Sequence, residues 1–192
     1  MEAVVTKLRN VGALENTYVV FTSDTGWHHS EHRIFDGKRQ PYEESARVPL
    51  LVRGPGVGAG STTDKLALNI DFFPTFMELA GAQTQTPSYV DGRSLRPVLD
   101  DSATPTTWRT AILLETRFEG STAKSFYAIR TSDGMKYIEY GGGFRELYNL
   151  NTDPHELSNA YKATSPPTSL AAQLQALKGC KGVSCRAAED GR

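Results

Sequence analysis

Apolar residues recur at helical spacing at Val4, Leu8 and Val11, and Gly12 stands where a helix C-cap belongs. A short polar turn leads to an uninterrupted run, Tyr18 to Phe21, which stops at Ser23-Asp24-Thr25-Gly26. A helix feeding a fully apolar strand is the αβ unit of a parallel sheet covered on both faces. Val48-Pro49-Leu50-Leu51-Val52 is a second apolar run, its proline suited to a strand start or an edge, and Gly54-Pro55-Gly56 ends it as a turn. A third apolar piece, Leu66 to Ile70, leads to Asp71, an N-cap for a helix over 72–79 that Gly81 closes. Phe72, Phe76 and Leu79 form an apolar stripe on that helix and read as core packing.

The pattern changes class after a polar stretch, Gln83 to Pro87, which reads as a surface loop. Ser94 to Leu99 predicts a short helical piece. Ala111 to Glu115, Phe126 to Thr131, Met135 to Tyr140 and Arg145 to Leu150 are strand-like runs. Ser132-Asp133-Gly134 and Gly141-Gly142-Gly143 supply hairpin connections, so these runs predict a small antiparallel sheet. Leu170, Leu174 and Leu177 mark one face of a final helix that can pack across it. The chain thus reads as α/β: residues 1–105 form the C-terminal part of a mixed or parallel sheet domain, and residues 106–192 a small α+β subdomain. Two or three strands are too few to bury both faces of a parallel sheet, which implies that the chain begins within a domain.

Composition adds exclusions. With 192 residues and a formal net charge of −1, nothing electrostatic points to nucleic acid or an anionic membrane as partner. No run approaches the ~20 apolar residues of a membrane span. The N-terminal stretch MEAVVTKLRNVG lacks the apolar core of a signal peptide, leaving a cytoplasmic protein or a piece of a longer chain targeted from upstream. Cys180 and Cys185, separated by Lys-Gly-Val-Ser, favour a small disulfide loop over two free thiols. No second pair of ligands lies near them for zinc.

Chemistry-bearing residues concentrate between the first two strand patterns: Asp24, then His28, His29 and His32, then Lys38. In α/β sheets ligands bind beyond the carboxyl ends of the strands, where this loop falls. Asp24 is either a hard oxygen ligand for Ca²⁺ or Mg²⁺ or an aspartate opening a turn before Gly26. Each histidine is either a proton donor near neutral pH or a surface group. Lys38 is either a point charge for an anionic substrate or half of a solvated basic pair with Arg39. No serine sits in a nucleophile elbow and no cysteine has the neighbours of an activated nucleophile.

The combination resembles a family. FTSDTGWHHSEHRIFDGKRQPYEESARVPLLVRGPG is similar to the Ser-Asp-Asn-Gly to Gly-Pro-Gly segment of type I sulfatases, members of the alkaline-phosphatase-like superfamily. The similarity is strongest to the arylsulfatase and N-acetylglucosamine-6-sulfatase branch. It continues through Asp71-Phe72-Phe73-Pro74-Thr75, Asp91-Gly92-Arg93-Ser94-Leu95 and Glu146-Leu147-Tyr148-Asn149-Leu150 with Asp153-Pro154 and Glu156. The resemblance implies a sulfuric ester hydrolase acting on sulfated sugars or aryl sulfates, in an extracytoplasmic location. It makes Asp24 a calcium ligand, with Thr25 in the adjacent ligand position where most members carry asparagine. His28 matches a histidine over the leaving oxygen, a candidate general acid, with His32 as second choice. Lys38 matches a lysine that contacts a sulfate oxygen. The family's formylglycine nucleophile, made from Cys or Ser in a C/S-x-P/A-x-R motif, has no counterpart here and is expected upstream, so the chain alone is expected to be inactive. Phosphomonoester or phosphonate hydrolysis within the same superfamily, and a non-catalytic glycan-binding remnant, are the competing readings.

Overall fold

Two antiparallel sheets organise the chain in a computed structural model that describes residues 1–100, 105 and 107–191. Helix α1 (Glu2–Asn10) ends as its sequence predicts. Gly12 takes φ +70°, and the Gly12 and Ala13 N–H groups close back on the Arg9 and Leu8 carbonyls. None of its residues is fully buried: of the Val4/Leu8/Val11 stripe, Leu8 is partly covered and Val4 and Val11 are exposed.

Strand β1 (Val19–Phe21) pairs with β2 (Leu51–Arg53), Val20 opposite Val52, and the pairing is antiparallel. This corrects the expectation of a parallel pair. A parallel return needs a crossover that packs on the sheet, and the intervening chain holds only the site loop and a single helical turn, α2 (Glu43–Ala46). Nor are the strands covered on both faces: Phe21 is 47% and Leu51 58% exposed.

Helix α3 (Phe72–Leu79) follows a 3₁₀ turn at Asn69–Asp71. Asp71 does not cap it with its side chain. The buried carboxylate instead accepts the Leu68 N–H at 2.8 Å, the Arg93 N–H at 3.0 Å and Arg109 Nη2 at 2.7 Å. The expected core stripe on this helix is also corrected. Phe76 is half exposed and, with Leu79, Tyr18 and Val20, lines an open apolar groove. Helix α4 (Arg96–Leu99) lies within the short helical piece read from the sequence. The division expected between residues 105 and 106 falls at residue 106, outside the described residues.

Strands β3 (Ala111–Thr116), β4 (Phe126–Thr131), β5 (Met135–Tyr140) and β6 (Arg145–Asn149) form an antiparallel meander in chain order, as the strand-like runs and hairpin turns predict. The period of two sorts their side chains onto two faces. Ala111, Ile129 and Tyr137 meet Leu174 and Leu177 of α5 (Thr168–Gly179). Phe126, Ala128, Ile138 and Tyr148 face the opposite way, toward Tyr42 of the site loop.

A second C-terminal helix, α6 (Val183–Glu189), escaped the sequence reading. Its buried residues are Cys185, Ala188 and Glu189, small or charged, so no apolar periodicity announces it. Cys180 and Cys185 are disulfide-bonded across the turn between α5 and α6. The helix delivers Glu189 to Arg93 at 2.7 Å and to Arg109 at 3.3 Å, tying the C-terminus to the start of α3 through Asp71.

Candidate active site

The loop leaving β1 is shaped by one residue the sequence did not single out, Ser45. Its carbonyl accepts the Gly26 N–H at 2.9 Å and the Thr25 hydroxyl at 2.8 Å, while its hydroxyl oxygen accepts the Arg39 N–H at 3.0 Å and the Gln40 N–H at 3.3 Å. Gly26 is required by this approach, because a Cβ there would stand 2.0 Å from the Glu44 carbonyl oxygen. Ser30, His32, Arg33 and Arg39 all adopt positive φ. Such a concentration of left-handed non-glycine residues is strain held in place by surrounding contacts, a common property of functional loops.

Within this frame the candidate residues fall into two groups. Asp24 and Lys38 form an exposed pair, Lys38 Nζ donating to Asp24 Oδ2 at 3.1 Å. That hydrogen bond and charge hold the Asp24 carboxyl below its ordinary range. Thr25 faces inward to Ser45. Among the described residues no three His, Cys, Asp or Glu side chains gather to hold a metal. Calcium takes about six to eight oxygens; Asp24 fits one ligand of such a site, and among the described residues no further carboxylates gather with it to form such a group.

The second group is buried. His28 has no exposed surface and its backbone N–H donates to the Gly37 carbonyl at 2.8 Å, an isolated antiparallel bridge that pins the loop's neck. Neither ring nitrogen of His28 has a hydrogen-bond partner among the described residues. Burial pushes its pKa below 6.5, with Glu44 and Glu31 opposing. His32 lies edge-on to His28 at 6.0 Å between centroids and stacks flat on Tyr42 at 3.7 Å and 4°. Its Nε2 comes within 3.4 Å of Glu44 Oε2 without hydrogen-bond alignment. His29 is exposed, its N–H bonded to the Glu31 carboxylate. An anion placed beside this ring would accept from a ring N–H and favour its protonated form.

Comparison with known proteins gives the family. The family described as N-sulphoglucosamine sulphohydrolase, C-terminal, matches residues 30–179. An N-acetylglucosamine-6-sulfatase of Bos taurus is 32% identical over 97% of this chain, a match that spans 39% of that relative's length. A solved structure in complex with its substrate D-glucosamine-2-N,6-O-disulfate superposes with a TM-score of 0.83 at 32% identity, covering 100% of this chain and 39% of that one. A phosphonate monoester hydrolase of Agrobacterium radiobacter is similar at a TM-score of 0.74 and 30% identity, over 97% of this chain and 38% of that one. The chain belongs to the sulfatase family of the alkaline-phosphatase-like superfamily and corresponds to its C-terminal portion.

Proposed function

We propose that this chain supplies one wall of the active site of a sulfuric ester hydrolase acting on a sulfated sugar. The observation that carries the reading is His28, fully buried and with no hydrogen-bond partner for either ring nitrogen among the described residues, in a loop that also carries Lys38. Hydrolysis breaks the ester bond between sulfur and the sugar oxygen, and the departing oxygen needs a proton. His28 donates it, once the sulfate's negative charge has offset the burial that keeps the ring neutral. Lys38 exchanges Asp24 for a sulfate oxygen and holds the charge that grows there. His32 backs His28 edge-on.

Asp24, with the adjacent Thr25, is this chain's proposed contribution to a calcium site, and the other carboxylate ligands are expected from outside this segment. The nucleophile does too: Cys180 and Cys185 are bonded to each other, so neither is a free precursor for formylglycine. In this reading residues 1–105 belong to the catalytic domain and 106–192 to its subdomain. The disulfide and the sulfatase relatives support an extracytoplasmic setting.

The test is hydrolysis of 4-nitrophenyl sulfate and of N-acetylglucosamine 6-sulfate by the protein translated from the whole reading frame, beside this chain alone. Sulfate release by the former and none by the latter is expected. Turnover by this chain alone, or none by the complete protein, overturns the proposal. The phosphonate hydrolase likeness motivates a parallel assay with a phenyl phosphonate ester, where faster cleavage favours that second reading. Retained binding of sulfated glycan without cleavage identifies a non-catalytic module.

A further inference from the structure

We propose that Tyr42 is a positioning residue for the histidine pair, and that the four-stranded sheet sets where Tyr42 stands. The functional part of this inference rests on the sulfatase reading; the structural part does not.

Tyr42 touches both histidines. Its ring lies parallel under His32 at 3.7 Å and edge-on to His28 at 6.1 Å. Neither contact is a hydrogen bond, so the imidazole edges stay free for a ligand while their planes are fixed. A flat platform restrains a ring without consuming its nitrogens.

The platform is itself anchored from strands far along the chain. Tyr42 Oη donates to Glu146 Oε1 at 3.1 Å, and Tyr140 Oη donates to Glu146 Oε2 at 3.3 Å. Burial pushes the Tyr42 phenol up to about 12, so it stays a donor. Tyr148 meets the Tyr42 ring edge-on at 6.4 Å. The residues on either side of Tyr42 are held by Lys136, which has no exposed surface. Its Nζ reaches the Pro41 carbonyl at 3.0 Å, Glu43 at 2.7 Å and Glu156 at 2.9 Å. The Glu43 N–H donates to the other Glu156 oxygen at 2.7 Å.

Strand register explains how these groups arrive together. Ile138 lies opposite Glu146, and Lys136 opposite Tyr148, so the alternation turns Lys136, Glu146 and Tyr148 to the face away from α5. A lysine and a glutamate on a covered sheet face are expensive unless paired. Here every partner of Lys136 either belongs to the loop segment Pro41–Glu43 or bonds to it. The subdomain thereby acts as a jig for the site loop.

The test reads His32 directly. In this chain labelled with ¹³C-histidine, the His32 ring protons are expected upfield of free histidine, because they lie over the Tyr42 ring. Tyr42→Leu abolishes the displacement. Glu146→Gln, a near-isosteric change on β6, reduces it while the methyl signals of Leu174 and Leu177 on the other sheet face stay in place, showing that the fold persists. If Glu146→Gln fails to fold, Tyr140→Phe removes the second hydroxyl from the same carboxylate and serves instead. An undisplaced His32 signal in the parent chain, or one indifferent to Tyr42→Leu, overturns the inference. In the complete protein, Tyr42→Leu is expected to lower kcat about 100-fold with little change in KM. A displaced His32 signal in a protein that cleaves no sulfate ester leaves the positioning geometry standing and overturns the functional reading alone.

Discussion

Lys38 Nζ donates to Asp24 Oδ2 at 3.1 Å, joining two candidate ligand groups that otherwise face solvent. Each satisfies the other while no substrate is bound. Lys38→Met therefore lets the Asp24 carboxyl pKa rise back toward 3.8, since the lysine is the largest cause of its depression. A carboxyl ¹³C titration checks this. Stability should scarcely move, because exposed ion pairs contribute little.

Lys136 makes the opposite case. It is buried with Glu156 and paired with the partly buried Glu43, and removing one partner of a buried pair leaves a charge uncompensated. Lys136→Met is expected to cost about 3–5 kcal/mol by urea unfolding. A loss no greater than that of a surface substitution would show that the clasp is solvated.

Glu146 sets a pH dependence. Burial raises its pKa above 4.5, while its hydrogen bonds from Tyr42 and Tyr140 oppose the rise; Glu156 adds to it and His32 lowers it. Between 4.5 and the raised value the folded chain binds more protons than the unfolded one, so stability falls as pH rises through that window. Glu146→Gln removes this component. The variant should gain on the parent as pH rises from 4.5 through the raised value in paired urea melts. The raised pKa of Glu189 is common to both proteins and largely cancels, whereas Glu156, which is coupled to Glu146, is relieved of that charge in the variant.

The disulfide between Cys180 and Cys185 spans a sequence separation of 5. A loop this short contributes about 2 kcal/mol by chain entropy. Replacing both cysteines by serine should lower the urea midpoint accordingly. It should also loosen α6, exposing the Glu189 contacts with Arg93 and Arg109 to faster amide exchange.

The four-strand meander was legible because its short strand-like runs are separated by tight turns at Ser132-Asp133-Gly134 and Gly141-Gly142-Gly143. The loop's chemistry was legible only as a crowd of residue types, and family resemblance gave them roles. What stayed hidden depends on partners far apart in the chain. Lys136 reads as a solvated strand lysine until Glu43, a remote loop residue, comes to meet it. Asp71 reads as a helix cap until Arg109 claims its carboxylate. Ser45 carries no signal beyond being a small residue, yet it receives four hydrogen bonds from the loop. The antiparallel pairing of β1 and β2 was missed because apolar runs report burial and not strand direction.

The central claim is that His28 and Lys38 act on a sulfate ester. It is tested most directly by kcat on N-acetylglucosamine 6-sulfate for the complete protein and its His28→Ala and Lys38→Met variants. The account predicts losses of about 100-fold or more for each in variants that remain folded. Parent-like turnover in both variants would contradict it.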